Sequence, residues 1–235
     1  MKLDFKQAWN NIFNQDGWTT KGIILFIIFL IVSLLTPENN SELNKTAIGK
    51  CIHLESNLTL LSAIKAFFYG YLLKYLHDLM INPKAPLPKW EKIGQIFLIG
   101  FKPVLCWFLV SILGIGLIIS LLSAPILLGI IITALIYLVF ALILVYAKDF
   151  KMTNLLNVKE AVEYSSIAYL QCFISIVGYI IISAVLPPVI KTILFVPMVL
   201  TFINILAQVH HQQVEKGKVV PIYDENIKTE ENLNL

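Results

Sequence analysis

The chain has 235 residues, of which 57% are hydrophobic and only 14% charged, with a formal net charge of +3. A water-soluble domain of this length carries about 45–50% apolar and about 25% charged residues, so the composition excludes that class and predicts an all-α, polytopic helical membrane protein. All 18 basic residues are lysine, which argues against the bidentate phosphate or carboxylate clamps that arginine makes.

Residues 1–18 place Phe5, Ala8, Trp9, Ile12 and Phe13 at helical spacing with polar residues between them. That pattern predicts an amphipathic helix lying in the headgroup plane and ended at Gly17. The apolar run over 22–35 falls short of the ~20 residues that cross a ~30 Å hydrocarbon core, and only with its flanks, over 19–36, does it make a short first span. Residues 37–57 are polar and read as a loop. A weaker second span, 58–76, is interrupted by Lys65.

The stretch from Gly70 to Lys102 is the most constrained of the chain. It leaves the second span, breaks at Pro83, passes through Pro86, Leu87, Pro88, Lys89 and Trp90, and re-enters apolar sequence through a short amphipathic helix. Two prolines fix an extended bend, Trp90 belongs at a membrane interface, and Lys89 and Lys92 can snorkel or meet anionic lipid. The expectation is an interfacial loop; a partner-docking loop is the alternative.

Residues 103–122 and 126–146 form a predicted transmembrane hairpin with its turn at Ser123, Ala124 and Pro125. Over 148–166 a polar segment puts Leu155, Val158, Ala161 and Val162 on one helical face and Lys159, Glu160 and Glu163 on another, a third surface helix. A second hairpin, 167–186 and 189–209, turns at Pro187 and Pro188. The membrane domain is thus 1–210, with about six spans and three surface helices, and 211–235 reads as a polar disordered tail. Of the 18 lysines, Lys45, Lys50 and Lys191 fall on one side of this threading, Lys65 inside a span, and all others on the opposite side. By the positive-inside rule that majority side is cytoplasmic, so this is a multi-pass cell-membrane protein with both termini and the three surface helices inside.

Lys65 either snorkels to the outer interface or lines a polar cavity, since no span holds an acid to pair with it. Gln171 and Ser175, and Asn204 and Gln208, are four residues apart and read as polar glue between helices, with a substrate pathway the sharper alternative. His77 and Asp78 end one span on the same side as His210, His211 and Glu215; adjacent histidines of a regular helix cannot both face one ion, so no metal is assigned. Cys51, Cys106 and Cys172 are far apart and odd in number, supporting neither a disulfide framework nor a zinc site, and Cys106 and Cys172 read as buried. No nucleophile elbow, phosphate loop or HExxH pattern is present, so no catalytic residue, cofactor or enzyme class is assigned.

Phe13, Asp16, Trp18, Lys21 and Gly22, then Gly70-Tyr71-Leu72-Leu73, then Pro86-Leu87-Pro88, Trp90, Gly94, Phe97, Gly100 and Lys102 form a pattern. It resembles a family of uncharacterised prokaryotic multi-span membrane proteins, one of the families described only as a domain of unknown function. The likeness extends in layout over most of residues 4–210. Lys89, Lys92 and Ile93 stand where such proteins carry acids and a second tryptophan. The resemblance implies a multi-span helical protein and no activity. The function expected is therefore a non-catalytic membrane scaffold, assembly or lipid-organising component, with a small transporter or permease subunit as the alternative. Its partners would be the bilayer, anionic lipid or other membrane proteins, and not nucleic acid.

Overall fold

A computed structural model describes residues 3–14, 18–35, 47–120 and 125–222, and every regular element among them is helical. In chain order these are α1 (Phe5–Phe13), α2 (Trp18–Leu35), α3 (Ala47–Ile81), α4 (Ile93–Ser120), α5 (Pro125–Ala147), a 3-10 turn (Met152–Leu156), α6 (Val158–Glu163), α7 (Ile167–Val185) and α8 (Pro188–Glu215). Among the described residues one stretch, Ile193–Glu215, is long and apolar enough to cross a membrane, and 56% of its apolar window is buried inside the protein. Shorter apolar stretches occupy Trp18–Ile28, Ile93–Cys106, Thr133–Ala147 and Ile167–Ser183.

Several boundaries differ from those expected. The predicted loop over 37–57 is helical from Ala47 onward, because no proline interrupts the chain between Pro37 and Pro83; α3 then runs 35 residues, ~52 Å at 1.5 Å per residue. The part of that loop before Ala47, and the hairpin turn at 121–124, lie outside the described residues. No separate surface helix precedes Pro103: α4 passes straight through it. A proline there cannot donate to the carbonyl of Ile99, and the hydroxyl of Tyr146 on α5 donates to that oxygen instead, at 2.7 Å. The tail predicted from residue 211 begins later. α8 continues to Glu215 and closes at Gly217, whose φ of +67° lets Lys218 N reach the carbonyl of Gln213 at 3.0 Å. Residues 223–235 of that tail are outside the described residues.

The third surface segment is shorter than predicted and its face is split. Leu155 and Ala161 are buried, whereas Val158 and Val162 point outward, because the 3-10 turn breaks the helical period ahead of α6. Asn157 starts α6 with a reciprocal cap, its Oδ1 accepting from Glu160 N at 3.2 Å and its amide donating back to the Glu160 carboxylate at 3.0 Å. Ser166 caps α7 in the simpler way, accepting from Tyr169 N at 3.1 Å.

α3 and α4 cross backbone to backbone. A Cβ at Gly70 would lie 1.8 Å from the carbonyl oxygen of Ile96, and one at Gly100 would lie 1.8 Å from that of Ala66. Only hydrogen fits at either place, so these two glycines bring the helices to the distance that small residues permit in packed bundles. Leu72, Leu76 and Leu79 of α3 then meet Leu200, Ile205 and Val209 of α8 and Leu144 of α5 in one core. Cys106 and Cys172 are buried free thiols.

The core is apolar, yet tyrosines are buried within it and much of the outer surface is aliphatic as well. Tyr71, Tyr75, Tyr146, Tyr164 and Tyr169 are fully buried, while bare aliphatic residues face outward on α2 (Ile23, Ile27), α4 (Leu98, Leu105), α5 (Leu135, Ile136) and α7 (Ile174, Ile181). At Val185 the exposure reaches 82%.

Candidate functional site

The polar residues gather at one end of the bundle, around the last turns of α8. Successive residues of an α-helix point about 100° apart, so Gln208, His210 and His211 project in three different directions. Each takes hold of a different element. Gln208 grips the start of α1 at two points, its Oε1 accepting from Asp4 N at 2.9 Å and its Nε2 donating to the Asp4 carbonyl at 3.1 Å. His211 Nε2 bonds the carbonyl of Leu79 near the end of α3 at 2.9 Å. His210 Nδ1 meets the hydroxyl of Tyr164, between α6 and α7, at 2.9 Å. One turn deeper, Asn204 Nδ2 donates to Tyr75 of α3 and to its own helix at Leu200 O, each at 3.0 Å.

Burial pushes the Tyr164 phenol well above the usual tyrosine range, and Glu160 and Glu163 push the same way. The phenol therefore stays protonated, and the imidazole tautomer decides whether it donates to His210 Nδ1 or accepts from it. His210 Nε2 is buried without a partner among the described residues, as are both amide atoms of Gln213 one turn on. Beside them Lys148, just past α5, and Glu160 of α6 form a mostly buried ion pair.

The loop between α3 and α4 is clamped onto the same end. Tyr71 Oη donates to the carbonyl of Pro88 at 3.0 Å, and Lys21 of α2 donates to that of Leu87 at 2.6 Å. Trp90 lies flat on Tyr71, centroids 4.2 Å apart, and on Phe67 at 5.6 Å. Pro88 is buried beneath it, while Pro86, Lys89 and Lys92 are exposed. Lys102 of α4 donates to the carbonyl of Phe150 at 3.1 Å, just past α5, where the chain takes a positive φ of 56°. Lys21, Gly70, Tyr71, Pro88, Trp90 and Gly100, all in the pattern that carried the resemblance, thus fasten the α3–α4 hairpin, while Lys102 of the same pattern ties α4 to the turn after α5.

Beneath α1 a crevice of about 200 Å³ opens between Gln7 and Asn11 on one wall, Leu79 and Pro83 at its side, and Asn204, Gln208, Gln212 and Glu215 of α8. The site residues expected from sequence are otherwise dispersed. Lys65 is half-buried in α3 with no hydrogen bond or ion pair to a described residue, and Gln171 is exposed on α7, where its carbonyl accepts from Ser175 at 2.8 Å. Asn204 and Gln208 share a face yet bond to different helices. His77 Nδ1 bonds Ala147 O at 2.7 Å, apart from the other histidines, and among the described residues no group of three His, Cys, Asp or Glu side chains is placed to hold a metal.

Sequence reasoning named Tyr71 only as a pattern residue and missed Tyr75, Tyr146 and Tyr164. The available signal was the recurrence of tyrosine inside apolar runs, where a buried hydroxyl requires a partner. It also missed Gln212 and Gln213, placed in the tail. No family model, curated protein or solved structure matches the chain.

Proposed function

We propose that the chain is a multi-pass membrane protein acting as a non-catalytic scaffold, assembly or lipid-organising component, its lysine-bearing collar turned to the cytoplasm. The observation that supports the membrane part is the extent of aliphatic surface facing outward. Aliphatic residues face outward on α2, α4, α5 and α7, while hydroxyls, imidazoles and amides are enclosed at one end. Outward apolar surface of that extent on a soluble monomer would drive aggregation, whereas in lipid it is solvated. α2, α5 and α7, at 18, 23 and 19 residues, are ~27–35 Å long, which suits a ~30 Å hydrocarbon core.

The scaffold part is supported by where the polar bonds go. Gln208, His211, Tyr71, Lys21 and Lys102 all bond backbone carbonyls or amides of other elements, which fixes the collar as a rigid platform. Lys84, Lys89 and Lys92 stay exposed on its rim and complement an anionic lipid surface. The family resemblance, whose residues run from Phe13 to Lys102 and which implies no activity, fits the same reading.

The crevice reaching buried Asn204 favours a second reading, a small transporter or permease subunit. The two readings separate on one cysteine. A thiol replacing Asn204 should react from the collar side only in a scaffold, and from both sides of a sealed vesicle in an alternating-access transporter. The membrane reading itself is tested by alkaline carbonate extraction: the protein should stay with the bilayer, and release into the supernatant would refute it.

A further inference from the structure

We infer that the crevice beneath α1 binds a small uncharged polyol, either a free sugar or the hydroxyl-rich headgroup of a lipid. Its volume of about 200 Å³ would hold about six or seven waters at ~30 Å³ each, room for one sugar ring. Gln212 lines it, is only 3% exposed, and its side chain makes no hydrogen bond among the described residues. Its amide opens onto the crevice, where it is placed to bond a ligand. Asn204 donates its amide protons to Tyr75 and Leu200 and leaves its carbonyl oxygen unbonded on the same lining. Gln7 and Asn11 face this pair from α1, their side chains equally unbonded among the described residues.

The lining chemistry selects the ligand. A carboxamide offers a donor and an acceptor side by side, and a hydroxyl needs both, so carboxamides set in a mostly apolar wall with Leu79, Pro83 and Ala207 match a molecule with several hydroxyls and an apolar C–H face. Anions are disfavoured: in a chain with 18 lysines none lines the crevice among the described residues, and Glu215 at its rim repels negative charge. A cation would find that single exposed carboxylate and no second one. The wall is held in place, since Gln208 clamps α1 at Asp4 by two bonds. None of this depends on the scaffold reading.

The test uses the full chain in a detergent without a sugar headgroup, with radiolabelled methyl glucoside in equilibrium dialysis and ethanolamine as the cationic control. A second arm places the chain in nanodiscs containing glucosyl diacylglycerol and asks by native mass spectrometry whether that lipid is retained. Saturable glucoside binding or selective glycolipid retention is expected, and which of the two occurs identifies the source. Gln212→Leu should weaken it at least ~10-fold and Glu215→Gln by no more than ~2-fold. Should Gln212→Leu fail to give a folded protein, Asn11→Ala on exposed α1 takes its place, with a loss of ~3-fold expected. Absence of binding in both arms would overturn the proposal. So would binding untouched by a folded Gln212→Leu variant, or binding of ethanolamine alone that Glu215→Gln abolishes.

Discussion

The α3–α4 crossing and the collar around α8 hold the molecule together by opposite means. At the crossing, affinity comes from what is missing: two glycines let carbonyl oxygens sit where Cβ atoms would be, and nothing there can adjust. At the collar, affinity comes from polar side chains that each bond a different element, so contacts can be removed one at a time. A steric joint should fail completely when altered, and a hydrogen-bonded one should fail locally and in proportion.

The largest effect is expected at the steric joint. Gly100→Val would drive its Cβ into the Ala66 carbonyl and should cost at least ~3 kcal/mol, read as loss of monodisperse protein or a collapse of the melting temperature in mild detergent. A variant that melts within a few degrees of the parent would show that the helices do not meet this closely. Trp90→Ala removes a half-buried ring from its stack on Tyr71 and should cost about 2–3 kcal/mol, below the range for a fully buried tryptophan. Trp90→Phe should recover most of this, because the indole N–H has no partner to lose among the described residues.

At the collar the effects should be smaller and local. Gln208→Leu removes both bonds to Asp4 and should cost about 1–2 kcal/mol, while exposing a thiol placed at buried Ala8 to water-soluble reagents and leaving the α3–α4 hairpin intact. Global unfolding instead would mean the collar is not modular. Smallest of all is Lys65→Met: the ammonium bonds no described residue, so thermal stability should move by no more than ~0.5 kcal/mol. A clear loss would place Lys65 in a polar cavity.

Helical class, the break at Pro83 and the proline-tryptophan loop were legible in the chain because composition, periodicity and breakers are local properties. Helix ends were less so. Pro103 looked like a start, yet the hydroxyl that lets α4 continue comes from Tyr146, 43 positions away. The spacing of Asn204 and Gln208 revealed a shared face and could not reveal which helix would arrive on it. Their partners are Tyr75 and the backbone of Asp4, and backbone acceptors leave no mark in a sequence. Gly70 and Gly100 stood out as pattern residues, but their pairing is a fact of tertiary contact. The crevice was unreadable for a further reason: Gln212 sits in a stretch so polar that it resembled a disordered tail.

Single cysteines at Lys89 and Pro187, in a background without Cys51, Cys106 and Cys172, test the membrane arrangement most directly. Both positions are exposed, one on the collar loop and the other at the α7–α8 turn. With an impermeant thiol reagent, a multi-pass bundle with its collar inside predicts labelling at Pro187 in intact cells and at Lys89 only after permeabilisation. Equal labelling of both positions in intact cells, or labelling of Lys89 alone, would contradict it.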